Sequence, residues 1–134
     1  MSELAAKPVP VASDFSQPYW DGVAAGQLRA QRCKGCGVLR HYPRLLCNAC
    51  YSDTVEWVDL TGHGKIHSWT VAHHPYHPAF TAEVPYTLVL VDLDEGIRAM
   101  GRWQGETPAI GQVVSGEFVS REGSADLVFA VAAG

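Results

Sequence analysis

From Val55 onward the apolar positions come in short runs. EWVDL, KIHSWTVAHH, YTLVLVDLD, IRAMGRWQ, VVSGEFVSRE and DLVFAVAA are each rich in Val, Ile, Leu and aromatics, and Gly, Pro, Asp or Glu punctuates them. Such runs predict strands. LDEG at Leu93–Gly96 predicts a tight hairpin, and PAIGQVV at Pro108–Val114 a turn leading into a strand. Nothing after Val55 carries a helical period. Five or six short antiparallel strands on about 75 residues suit a small closed barrel, best the five-stranded OB-fold, with an open sandwich as the alternative.

The N-terminal third has a different pattern. Residues 1–14 are rich in Ala and Pro and predict a flexible arm. FSQPYWDGVAAGQL then predicts a short helix over Gln17–Ala25. Ser16 is its expected N-cap, Pro18 lies in its first turn, and Gly26 is the expected stop. Phe15 and Trp20 are spaced for a hydrophobic staple across the cap. Phe15, Tyr19 and Trp20 are many aromatics for so short an element. They pack either on the protein's own core or on a partner.

Composition narrows the class. Of 134 residues, 47% are apolar, enough for a core. Ten basic against fourteen acidic residues leave a formal charge of −4, which weighs against nucleic acid as the main ligand. No run of about eighteen apolar residues predicts a membrane span. The N-terminus lacks the basic start and apolar block of a secretory signal, so a cytoplasmic setting is expected, where disulfides are rare.

All four cysteines fall in RCKGCGVLRHYPRLLCNAC, as C-x₂-C-x₁₀-C-x₂-C: Cys33, Cys36, Cys47 and Cys50. Each C-x-x-C turn can present two thiolates to one ion, and four thiolates suit tetrahedral Zn²⁺. Gly35 and Gly37 stand where such a turn needs positive φ or close approach. A Cys₄ site is coordinatively closed, so the zinc is structural. It folds a segment too small to make its own core. Two disulfides and a redox C-x-x-C are the competing readings. Arg29, Arg32, Lys34, Arg40, His41, Tyr42 and Arg44 surround the block. This local charge favours an anionic ligand, such as nucleic acid or the phosphates of coenzyme A, unless it is an ordinary solvated face.

HHPYHP at His73–Pro78 is the densest titratable cluster. On a strand, His73 and His74 point to opposite faces, which argues against a second metal site. Prolines 75, 78 and 85 stiffen a loop that carries Tyr76 and Phe80, so a contact with partner or ligand at the barrel mouth is the better reading. Tyr86 opens the next strand. No G-x-S-x-G, phosphate-binding Gly loop or spare cysteine is present. No catalytic residue is assigned.

Taken in order, YWDGVAAGQL, QRCKGCG, YPRLLCNAC, Trp57, TGHGKIHSWT, HHPYHPAF and VPYTLVLVDLDEGIRAMG resemble the zinc-ribbon/OB-fold family of acyl-CoA-associated proteins. The resemblance covers about residues 15–131. It implies a mainly β chain: arm 1–14, helix 15–27, Cys₄ ribbon 28–54 and five-stranded OB barrel 55–134. It also implies an accessory subunit of a thiolase-like enzyme acting on CoA thioesters, in a two-plus-two assembly that shapes the acyl-CoA entrance. Within that family it resembles the accessory domain of steroid side-chain aldolases, with acyl transfer as another family role. Phe15, Tyr19, Trp20, Arg44, His73, His74, Tyr76, Phe80 and Tyr86 are the expected partner or acyl-CoA contacts. A single-stranded nucleic-acid module and a stand-alone thioesterase are the alternatives.

Overall fold

The computed structural model describes residues 10–75, 77–121 and 124–132. The order is α1 (Gln17–Ala24), β1 (Arg29–Cys33), β2 (Leu39–Arg40), β3 (Val55–Asp59), β4 (His63–Ala72), a 3₁₀ turn (Pro78–Phe80), β5 (Tyr86–Leu93), β6 (Arg98–Trp103), β7 (Val113–Arg121) and β8 (Ser124–Val131). None of these helices is long and apolar enough to cross a membrane.

Helix α1 forms where the sequence predicts, one residue shorter. It ends at Gly26, whose φ of 75° permits the left-handed turn, and the Gln27 N–H closes on the Gly22 carbonyl at 2.7 Å. Ser16 does not cap it with its side chain. Its own φ and ψ are helical, and its hydroxyl is engaged by Ser13, whose N–H donates to Oγ at 2.9 Å.

Five or six strands were expected from residue 55 onward, and the first of the six strand-like runs belongs elsewhere. Strand β3 pairs along β1, from Arg29 opposite Asp59 to Cys33 opposite Val55, in a ribbon sheet of order β2-β1-β3. The break lies at Gly62, where φ is 79° and the chain turns away to start β4. The other five strands close a barrel of order β4-β5-β6-β8-β7. Every pairing is antiparallel except β6 with β8, where Trp103 lies opposite Phe129. That is the closed five-stranded barrel of an OB-fold. The predicted hairpin at 93–96 is present, with Leu93 N–H donating to Ile97 O at 2.8 Å and φ of 93° at Gly96.

Strand alternation builds the interior. Val89, Val91 and Leu93 of β5, Ala99 and Trp103 of β6, Ile66, Val114 and Phe129 all point inward. Leu28, Ala30 and Leu60, from the ribbon side, join the same cluster. Ribbon and barrel therefore share one core.

Phe129 is the centre of this packing. It is fully buried, and two strand glycines make room for its ring. A Cβ on Gly101 would stand 2.7 Å from it, and one on Gly116 2.6 Å. Neither glycine is there for its backbone angle; each is there because the ring fills the place of a side chain. Gly116→Ala should therefore destabilise by about 1–3 kcal/mol through overpacking, and Phe129→Ala by about 3–5 kcal/mol through a cavity. Adding Phe129→Leu to Gly116→Ala should cost less than the sum of the two single changes, because the smaller side chain relieves the clash. Urea unfolding of the four proteins checks this.

Candidate metal centre and aromatic groove

The two C-x-x-C turns are built alike. In the first, Cys33 N–H donates to Val38 O at 2.9 Å and Gly37 N–H to Cys33 O at 2.8 Å. In the second, Cys47 N–H donates to Ser52 O at 2.9 Å and Tyr51 N–H to Cys47 O at 2.9 Å. In each, the amide two residues past the first cysteine reaches back to its sulfur: Gly35 to Cys33 at 3.3 Å, Ala49 to Cys47 at 3.4 Å. The fifth residue of each turn has positive φ, 79° at Gly37 and 65° at Tyr51. Gly35 serves a second need: a Cβ there would lie 3.1 Å from the Cys50 sulfur.

These turns bring all four sulfurs within 4.8 Å of one another. Cys33 and Cys50 are 3.5 Å apart, Cys36 and Cys47 3.7 Å. A disulfide needs about 2.05 Å, whereas a tetrahedral ion with 2.3 Å bonds spaces its sulfurs by about 3.8 Å. The donor set fits zinc. Backbone N–H groups prepare it. Those of Cys36 and Gly35 lower Cys33, and those of Ala49 and Cys50 bring Cys47 down to about 6. Cys50 is pushed up to about 12. The Ser52 N–H favours its thiolate, but shared hydrogen bonds with Cys33 and then Cys36 and Cys47, together with loss of water, outweigh that. A bound divalent ion would reverse this and hold all four as thiolates. With four protein ligands, its chemistry here is structural.

The basic residues around the block are less displayed than their spacing suggested. Arg29 pairs with Asp59 at 3.2 Å and Arg32 with Glu56 at 3.6 Å, both across the β1–β3 ladder. Arg40 is buried rather than presented, only 7% exposed. Its Nε donates to Gln31 Oε1 at 2.7 Å, the same oxygen that accepts the Arg44 backbone N–H at 2.9 Å. One buried amide thus ties β1, β2 and the approach to the second knuckle together.

Rings extend from this junction to the helix. Tyr42 lies 4.1 Å from His41, His41 5.4 Å from Tyr19, and Tyr19 5.0 Å from Trp20 in an edge-to-face pair. Burial, then the neighbouring Tyr42, pushes the Tyr19 hydroxyl up to about 12. Burial alone pulls His41 down to about 4, and its Nδ1 has no hydrogen-bond partner among the described residues.

Beyond Trp20 opens a groove of about 320 Å³ between α1, the 3₁₀ turn and strands β5–β8. Tyr19, Trp20, Phe80 and Tyr86, which the sequence singled out separately, meet there. Phe80 packs 6.2 Å from Tyr86, and the Arg102 guanidinium lies 4.2 Å above the Tyr86 ring while bonding Glu83. Met100, Phe118 and Leu127 line the groove too. They were missed, although outward-facing Met100 was legible in the alternation of β6. Arg44 lies elsewhere, at the ribbon–barrel junction. Phe15 is exposed before α1. His73 and His74 follow the end of β4 and are exposed, so strand alternation does not apply to them. Tyr76 lies outside the described residues. His77, the third histidine of that cluster, has a structural part: its Nδ1 accepts the Ala79 N–H at 3.1 Å and caps the 3₁₀ turn. Among the described residues, the cysteines form the one cluster suited to a metal.

Two family models divide the chain. One, described as ChsH2, rubredoxin-like zinc ribbon domain, matches residues 20–56. The other, ChsH2, C-terminal OB-fold domain, matches residues 57–119. A solved structure described as Ltp2-ChsH2(DUF35) aldolase superposes with a TM-score of 0.81 at 34% identity, covering 92% of this chain and 99% of that one. The 3-oxo-4,17-pregnadiene-20-carboxyl-CoA hydratase alpha subunit of Mycobacterium tuberculosis is 38% identical over 75% of this chain and 31% of its own length. The benzoylsuccinyl-CoA thiolase subunit BbsA of Geobacter metallireducens is 33% identical over 72% of this chain and 58% of its own. The chain spans about a third of the length of the hydratase alpha subunits it matches.

Two outcomes test the centre. The purified chain should carry one zinc per polypeptide, and Cys47→Ser should lose it along with the dispersed amide signals of residues 33–54. Removing zinc should cost the ribbon a binding energy on the order of 10 kcal/mol, seen as loss of its cooperative melting. The second concerns acid. His41 binds a proton in the unfolded chain near pH 6.5 but in the fold only near 4, so stability is full above about 6.5 and falls as pH drops towards 4. The expected loss is about 1–2 kcal/mol by pH 5. His41→Phe, which keeps the ring and removes the titration, should flatten that part of the urea-unfolding profile relative to the parent.

Proposed function

Because this chain belongs to the ChsH2 (DUF35) family, in which a rubredoxin-like zinc ribbon precedes an OB-fold domain, we propose that it is a non-catalytic accessory subunit of a thiolase-like enzyme acting on CoA thioesters. It binds and stabilises that enzyme and lends its aromatic groove to the acyl-CoA entrance. The observation that carries this reading is the near end-to-end match with the chain described as Ltp2-ChsH2(DUF35) aldolase. The thiolase-subunit relative points the same way. The groove adds a physical reason. Trp20, Phe80, Tyr86 and Met100 offer apolar and aromatic area on a rigid frame, the composition of an interface anchor.

The reaction we assign to the complex is retro-aldol cleavage of a steroid side-chain acyl-CoA, with acyl transfer as the alternative. The steroid assignment is supported by the named substrate of the mycobacterial hydratase relative and by the aldolase description of the structural one. The setting is the cytoplasm. The stoichiometry is two accessory chains on a thiolase-like dimer.

The test is co-expression with a thiolase-like protein encoded beside it, followed by size-exclusion chromatography with light scattering. A two-plus-two complex should elute, and the partner alone should melt at lower temperature. Trp20→Ala and Phe80→Ala should each weaken association by about tenfold or more while zinc content stays unchanged. Turnover of an acyl-CoA by the isolated chain, or absence of any complex, would sink the assignment.

A further inference from the structure

Among the described residues, Arg40 is a charge without a counter-charge. It is more than nine-tenths buried, yet its hydrogen bonds go to neutral oxygens: Gln31 Oε1 at 2.7 Å and the Arg44 carbonyl at 3.4 Å. Its Nη1 has no partner among the described residues. Burying a guanidinium this way is costly unless an anion compensates it. No carboxylate pairs with it among the described ion pairs.

What lies beside Arg40 is a cavity of about 460 Å³ between the ribbon and the β5–β6 hairpin. Arg40, Arg44 and Arg98 line it, with His41 and Asn48. The one carboxylate in the lining, Asp92, is already taken by Arg98 at 2.7 Å and His67 at 3.2 Å. Burial keeps His41 neutral. The formal balance at the cavity is three guanidinium charges against one carboxylate, in a protein whose total is negative. Exposed Arg44 is placed at the rim for direct contact, Arg98 lines the same cavity while paired with Asp92, and Arg40 supplies field from beneath. Guanidinium groups match phosphate oxygens two at a time.

The geometry points to an oxyanion site at the ribbon–barrel junction that takes the phosphate groups of a nucleotide-bearing ligand, the 3′-phospho-ADP end of coenzyme A. This rests on the reading that the protein serves an enzyme of CoA thioesters. The junction and the aromatic groove are lined by different residues, so the site is a second contact for such a ligand and not part of the groove.

The test titrates the zinc-loaded full chain with adenosine 3′,5′-bisphosphate, inorganic phosphate and pantetheine at matched ionic strength. Calorimetry gives the affinity, and amide NMR locates the site. The bisphosphate should bind saturably and shift the amides of Asn48, Gly96 and Ile97. Inorganic phosphate should bind more weakly at the same amides, and pantetheine should leave them unmoved. Arg44→Glu, a change at an exposed side chain, should weaken the bisphosphate by about tenfold or more with zinc content intact. Arg40→Met should weaken it as well if that variant folds; Arg44→Glu decides the matter if it does not. Absence of saturable binding, or binding unchanged by Arg44→Glu, overturns the site. Equal affinity for phosphate and bisphosphate overturns the nucleotide assignment. A chain that co-elutes with a thiolase-like partner but ignores phosphates keeps the accessory role and loses this site. One that binds the bisphosphate but captures no such partner keeps the site and loses the role.

Discussion

The stability of residues 33–54 depends on four sulfurs held at metal-binding distance, and the rest of the structure depends on that segment being rigid. Between Cys33 and Thr54 the buried side chains are Cys33, Cys47 and Arg40; Tyr42, Leu45, Leu46 and Tyr51 are all exposed. Such a stretch cannot offset its own chain entropy by hydrophobic burial, and a coordinated ion supplies what burial does not. The two knuckles repeat one hydrogen-bond pattern because each has the same task, which is to turn two thiolates and a backbone amide inward.

A rigid ribbon matters because it is joined to the barrel by side chains that tolerate little slack. Strand β3 couples the two, since it pairs in the ribbon sheet while Leu60, just beyond it, enters the common core. Gln31 adds a polar lock by accepting from both Arg40 and the Arg44 backbone. The same lock holds the Arg40 guanidinium against the junction cavity. Loss of the metal is therefore expected to reach the junction through β1 and β2 rather than stop at the cysteines.

The molecule also separates two kinds of surface. The groove beside α1 is aromatic and apolar, with its arginines already occupied by Glu83 and Asp126. The junction is cationic and polar. A CoA thioester has the same division along its length, with an apolar acyl group at one end and phosphates at the other. Tyr19 links the two regions, stacked near His41 on one side and Trp20 on the other, and partly buried against the core.

Much of this was legible in the chain. C-x₂-C-x₁₀-C-x₂-C specifies a tetrathiolate centre because spacing within a tight turn is a local property. The helix stop at Gly26, the hairpin at 93–96 and the five barrel strands follow from equally local signals. What the sequence left open depends on contacts between residues far apart. The run Val55–Asp59 has the pattern of any short strand, and its place in the ribbon sheet is decided by β1, some 25 residues earlier in the chain. Arg40 is one arginine among several in the sequence; only the fold buries it against Gln31 and opens a cavity beside it. The meeting of Tyr19 and Trp20 with Phe80 and Tyr86 is likewise tertiary, since more than fifty residues separate the two pairs until the barrel closes beneath α1. Periodicity and spacing record which way a side chain faces within its own element. Which element it then faces is settled by packing, and packing alone decided the groove and the junction.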